Sequence, residues 1–181
     1  MEKEWDMIEV LRHSRHDWLN KLQIIKGNLD LNRIDMAKAV IDKIVIEAQN
    51  ETKLSNLQLP LFATLLLKAN WENYYFQLEY EVLLQEPCPL KLADQELAEW
   101  TNAFFHRLNE AIGEYTDNTL VITIDPQKDG VRFFFEYNGI IKYRELLEQF
   151  LDGSGKGNLE IAIKEFSEHV LAIEVLMAAE S

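Results

Sequence analysis

Over residues 1–57 the apolar side chains recur at helical spacing. Ile8, Leu11, Arg15, Trp18, Leu22, Ile25 and Leu29 step by three and four in strict alternation, a heptad seam with one slot held by Arg15. "DLNRID" reads as a short connection, with Asp35 as the N-cap of a second helix. That helix carries Ala37, Val40, Ile41, Ile44, Val45 and Ala48 on one period and fades through "NETKLSNLQ" to Pro60. Two long helices joined this closely predict an antiparallel hairpin, taken as a domain over residues 1–58. A lone hairpin cannot bury both sides of its stripes. Pairing with a second copy into a four-helix bundle, a homodimer, is therefore expected; packing on the chain's own C-terminal part is the alternative.

Residues 59–181 change character. "LFATLLLKANWENYY" has a helical pattern, "QLEYEVLLQ" alternates as a strand does, and "ADQELAEWTNAFFHRLNEAIGEY" is a strongly amphipathic helix. "NTLVITIDPQKDGVRFFFEYNG" predicts a β-hairpin, two β-rich runs around Pro and an Asp-Gly turn. "KYRELLEQFL" and "NLEIAIKEF" read as helices and "HVLAIEVLM" as a last strand. The fold class expected is α+β: the helical hairpin followed by an α/β sandwich.

Composition narrows the function. The chain has 181 residues, 48% of them hydrophobic, with 7 Gly and 4 Pro, which suits folded domains with little linker. A net charge of -13 argues against a nucleic-acid partner, which calls for a broad basic face. One Cys excludes an internal disulfide framework. "MEKEWDMIEV" lacks the pattern of a signal peptide, and no apolar run reaches the roughly 20 residues of a membrane span. A cytoplasmic protein with no membrane partner is expected.

Against that acidic background, "LRHSRHDWLNKLQIIKGNL" is positive: Arg12, Arg15, Lys21 and Lys26 against Asp17 give a local balance of +3. His16 falls one position past the seam, about 100° around the helix, so it is not a core histidine. Arg12, Asn20 and Gln23 share its face, and His13, Asp17 and Asn20 form the neighbouring row. An imidazole, with a pKa near 6.5 in water, is mostly neutral at pH 7 and can attack phosphorus. A neighbouring carboxylate can orient the ring, and cations can steady a transferring phosphoryl group. A solvated helix face with two chance histidines is the alternative. A metal held by His13 and His16 finds few further ligands nearby.

"SRHDWLNKLQIIKGNL" resembles the phosphoacceptor-histidine segment of two-component signalling proteins, whose His-(Asp/Glu)-x-x-Asn-Lys-Leu core is typical of the citrate-sensor type of histidine kinase. More closely, this segment is similar to that of the sporulation initiation phosphotransferases of endospore-forming bacteria, a likeness continuing through "ETKLSNL", "NW" and "LEYEVL" and ending weakly. The resemblance implies a phosphotransferase. His16 would take a phosphoryl group from the phosphoaspartate of one response regulator and pass it to an Asp of a second, in control of sporulation. Arg12, Arg15, Asp17, Asn20 and Lys21 would support it. The implied partners are two receiver domains and a second copy of the chain, with the histidines on the outside of the bundle. The chain would need no cofactor of its own, since Mg²⁺ belongs to the receiver. An ATP-dependent histidine kinase and a non-catalytic response-regulator binder are the other readings.

The C-terminal domain is implied to resemble a kinase ATP domain in degenerate form. In "FFHRLNEAIGEY" the metal-binding Asn position falls on Glu110 or Ala111, with Asn109 out of step, and "FEYNGII" lacks the base-reading Asp. "GSGKGNL" is either a remnant lid or a flexible loop; without a Ser or Thr after Lys156 it is not a P-loop. His106 and His169 read as structural histidines, Cys88 as a loop residue without a base, and Trp5, Trp18, Trp71 and Trp100 as core or bundle aromatics.

Overall fold

Asp6 starts the first helix: its carboxylate accepts the Glu9 N–H at 2.8 Å, satisfying one of the donors that a helix start leaves unpaired. The computed structural model describes residues 5–83, 92–114, 117–154 and 157–179. Helix α1 runs Met7–Asp30 and α2 runs Ile34–Ser55. Between them Asn32 takes a left-handed φ of 55°. The Arg33 N–H donates to the Asn28 carbonyl at 2.8 Å and the Asn32 N–H to that of Leu29 at 2.9 Å, a Schellman stop built with Asn in place of Gly. The turn is tighter than expected, and Asp35 is not the N-cap. It is the second residue of α2, where its charge still opposes the positive end of the helix dipole.

By compactness the chain divides into residues 1–49, which hold most of the hairpin, and residues 50–181, which take in the end of α2. Within the hairpin, Ala37 is buried and Val40 and Ile44 are half-buried, whereas α1 has no buried residue.

The second unit holds α3 (Pro60–Ala69), β1 (Gln77–Val82), α4 (Asp94–Ala111), β2 (Thr119–Gln127), β3 (Gly130–Asn138), α5 (Arg144–Gly153), β4 (Leu159–Phe166) and β5 (Val170–Ala178). The five strands form one sheet in the order β1-β2-β3-β5-β4, with β1 parallel to β2 and every other pair antiparallel. Alternation puts Leu120, Ile122, Ile124, Phe133, Phe135, Tyr137, Leu171, Ile173 and Val175 on one buried face. Helix side chains cover it: Phe62 of α3 meets Phe133 edge-on, and Trp100 and Phe104 of α4 do the same to Phe135. This is an α+β fold, as the pattern predicts.

Three elements differ from expectation. Residues 159–166 form a strand, not a helix: Leu159, Ile161 and Ile163 alternate, and β5 offers them a ladder. Residues 71–75 are not helical, because α3 stops at the Asn70 cap. In the β-hairpin Pro126 lies within β2, opposite Val131, and Lys128-Asp129 make the turn. Its missing N–H is tolerated there because β1, the neighbour on the other side, has already ended opposite Ile124.

The outward backbone groups of edge strand β1 are plugged by side chains. The Asn70 amide both donates to the Leu78 carbonyl and accepts the Leu78 N–H, each at 2.8 Å. The Val82 N–H donates to Asn50 at 3.2 Å, and Lys53 donates to the Val82 carbonyl at 3.1 Å. Such pairing blunts an edge that would otherwise template another strand. Asp94, at the start of α4, accepts the Leu61 and Phe62 N–H groups and so caps α3 from a distance. Among the described residues no helix is long and apolar enough to cross a membrane.

Candidate functional site

His16 sits in the middle of α1, held by an uninterrupted helix rather than a loop, and its side chain is 72% exposed. Its Nδ1 is the nitrogen with neighbours, 3.2 Å from Asn20 Nδ2 and 3.7 Å from the Asp17 carboxylate. The i, i+4 spacing brings the amide over the ring, and the adjacent Asp17 reaches it sideways. Which partner donates depends on the tautomer and on the orientation of the Asn20 amide.

Arg12 and Arg15 are exposed, and no ion pair engages either among the described residues. Lys21 is placed differently. Its ammonium donates to Glu47 of α2 at 2.6 Å and stands 5.7 Å from the Trp18 ring, so it ties the two helices together. Lys26 pairs with Asp30 at 2.6 Å. Of the four cations around His16, two are thus engaged within the hairpin. His13 is half-buried and meets the Trp5 ring edge-on at 4.9 Å. Glu47, the partner that decides the role of Lys21, carried no signal of its own, because inter-helix register is not written in either helix alone. No group of three or more His, Cys, Asp or Glu among the described residues is arranged to hold a metal.

The other sequence candidates have structural partners. Asn109 accepts the Tyr75 N–H at 2.6 Å, Glu110 pairs with Arg107 at 2.7 Å, and Ala111 is fully buried. Gly139 lies against a buried pair in which the Tyr137 hydroxyl donates to Asn118 at 2.7 Å; burial pushes the phenol pKa upward. Gly157 has a φ of 93°, and next to it the Asn158 N–H donates to Glu96 of α4 at 2.9 Å. Gly155, Lys156 and Cys88 lie outside the described residues. His106 and His169 are both exposed, the first beside the Tyr74 ring and the second in the turn before β5. Trp100 is a core aromatic, whereas Trp18 is 49% exposed on the seam.

Comparison with known proteins bears on this arrangement. Residues 1–57 match the Sensor_kinase_SpoOB-type alpha-helical domain family, and residues 58–178 match the family described as sporulation initiation phospho-transferase B, C-terminal. The sporulation initiation phosphotransferase B of Bacillus subtilis (strain 168) is 35% identical over 172 residues, which cover 94% of this chain and 88% of that protein. Among solved structures, the histidine kinase AdeS of Acinetobacter baumannii superposes with a TM-score of 0.47 at 9% identity, covering 92% of this chain and 98% of its own. A histidine kinase from Burkholderia phymatum gives 0.47 at 11% identity, covering 95% and 98%. The full-length sequence matches show that the chain belongs to the sporulation initiation phosphotransferase B family. Its activity is that of a phosphotransferase.

Proposed function

We propose that His16 is the residue that carries the phosphoryl group, in a phosphorelay between two response regulators. The observation that supports this most is the one-sided engagement of the ring: Asp17 and Asn20 gather at Nδ1, and Nε2 is left as the edge for a partner. With the proton on Nδ1 facing the Asp17 carboxylate, the Nε2 lone pair attacks the phosphorus of an aspartyl phosphate. The N–P bond forms as the P–O bond to the aspartate breaks, and the partner's carboxylate leaves. The reverse exchange hands the group to the Asp of a second receiver. Arg12 and Arg15 steady the phosphoryl oxygens through their forked donors. The chain supplies no nucleotide and no metal to this step; the receiver brings Mg²⁺ with its own carboxylates. The working form is a homodimer in which two hairpins make a four-helix bundle.

The test uses a receiver domain phosphorylated without ATP. Incubation with the chain is expected to yield a phosphoprotein labile to acid and stable to base. His16→Ala abolishes the label and His13→Ala keeps it. Label that survives in His16→Ala moves the site elsewhere.

A further inference from the structure

The two edges of the sheet end differently. Along β1 the outward groups of Leu78 and Val82 are taken up by Asn70, Asn50 and Lys53. At the other edge, β4 pairs with β5 on one side. The Ser167 N–H donates to the Val170 carbonyl at 2.8 Å, so Val170 turns its backbone groups toward β4. Alternation does the same for Ala172, Glu174 and Leu176, which lie opposite Glu165, Ala162 and Glu160. The groups of Leu159, Ile161 and Ile163 therefore point away from the sheet, and no bond to a described residue engages them.

The side chains along this edge carry a second signal. Ile163 shares the helix-covered face with buried Leu159, yet it is 46% exposed. On the opposite face Glu160, Ala162 and Lys164 follow one another at the surface, and the Lys164 ammonium stands 3.3 Å from Glu174. The shift in pairing between Ile163 and Glu165 makes Lys164 a bulge residue. A lysine and a bulge ordinarily keep foreign strands off an edge. Here, however, the order of charges is its own complement. Read antiparallel about Ala162, Glu160 meets Lys164 and Lys164 meets Glu160.

We propose that β4 is a pairing surface for a second copy of this chain, β4 against β4 and antiparallel, with Ala162 on the two-fold axis. In that register Ile161 and the partner's Ile163 form a hydrogen-bonded pair, repeated across the axis, which satisfies the open backbone groups of both. Ala162 faces the partner's Ala162 in a non-hydrogen-bonded pair, where side chains stand closest. Glu160 faces the partner's Lys164, and Lys164 faces the partner's Glu160, two opposite-charge pairs on the outer face. A slip of the register removes both charge pairs, so complementarity fixes the alignment as well as the partner. A strand of another protein would have to carry the same charges at the same spacing. About five residues a side bury less than a standard interface, so the contact is weak and forms at high chain concentration. It is separate from the hairpin seam and rests on neither the bundle nor the transfer reading.

The experiment is site-directed cross-linking of the full chain, with Cys88→Ser removing the one native cysteine. In that background Ala162→Cys, Glu160→Cys and Lys164→Cys are each oxidised with copper phenanthroline at submillimolar chain concentration. Ala162→Cys is expected to couple at least about tenfold faster than either of the others alone, because only position 162 faces itself at disulfide distance. Mixing the Glu160→Cys and Lys164→Cys chains raises their coupling to a comparable rate. Adding Glu160→Lys to the Ala162→Cys chain, which sets a lysine against the partner's Lys164, slows coupling at least about fivefold. Sedimentation of the unmodified wild type, its mass rising with concentration beyond the species present at micromolar, keeps the test independent of any variant that folds poorly. Coupling of Ala162→Cys no faster than that of Glu160→Cys or Lys164→Cys would overturn the pairing, as would a wild-type mass that stays constant up to submillimolar concentration.

Discussion

Arg12 and Lys21 bear the same charge on the same helix, yet their surroundings give them different work. Arg12 lies one turn from His16 and is exposed, whereas the Lys21 ammonium is committed to Glu47 at 2.6 Å. Arg12→Glu is expected to slow transfer at least about tenfold, roughly 1.4 kcal/mol in barrier. Much of that loss is in association between two acidic proteins, so it shrinks at high salt. Arg15→Glu acts in the same direction. Lys21→Ala leaves the transfer rate within about twofold and lowers the melting midpoint by a few degrees, since a partly exposed pair contributes about 1 kcal/mol or less. Rate assays at two ionic strengths, paired with thermal melts, separate the outcomes. If Arg12→Glu transfers at the wild-type rate in low salt, the positive patch is only a solvated face. The part of the candidate site that sits on one helix, Asp17 and Asn20 beside His16 Nδ1, was legible because i, i+1 and i, i+4 spacing is fixed by the helix itself. The role of Lys21 was not, because it depends on a residue 26 positions away.

At the level of elements, long periodic segments were readable and short ones were not. The two hairpin helices, α4, the β2–β3 hairpin and β5 all repeat their pattern often enough to fix type. Residues 159–166 offer a short mixed run whose state is set by pairing with β5, a contact absent from the local sequence. The stop after α1 was hidden because Asn32 does the work usually given to glycine. Gly139 shows the converse, a glycine whose necessity appears only in three dimensions. A Cβ there would overlap both the Asn118 side-chain oxygen and the Tyr137 hydroxyl. The same Asn118 amide donates to the Tyr75 and Gly113 carbonyls at 2.8 and 2.7 Å, so it has little room to retreat. Gly139→Ala is therefore expected to cost about 1–3 kcal/mol, as overpacking in a close-packed interior does. A midpoint about 5 °C lower, measured by circular dichroism, corresponds to the middle of that range. An unchanged midpoint would mean that the Asn118–Tyr137 pair shifts without penalty.

For the molecule as a whole, the unspent feature is the apolar seam. Ile8, Leu11, Trp18, Leu22 and Leu29 of α1 are 62, 54, 49, 55 and 46% exposed, all on one line of the helix. On α2 the half-buried line is Val40 and Ile44, while Ile41 and Val45 are 45 and 48% exposed. Scattered surface leucines are ordinary, but a continuous stripe at heptad spacing marks an interface. Burying what remains exposed of each large side chain contributes about 1 kcal/mol, repeated along both helices of both copies. A two-fold pairing of hairpins satisfies both helices at once and leaves His16, about 140° around α1 from the middle of the seam, outside the bundle. Light scattering is expected to give twice the 21.2 kDa chain mass. Leu22→Glu, which sets like charges against each other at the centre of such a seam, should reduce this to a single chain while α1 and α2 lose helicity. It should also lower transfer, because a frayed hairpin no longer holds His16, Asp17 and Asn20 in register. A wild-type chain that stays monomeric at micromolar concentration, with Leu22→Glu indistinguishable from it in mass and helicity, would mean that the stripe is covered by something other than a second copy.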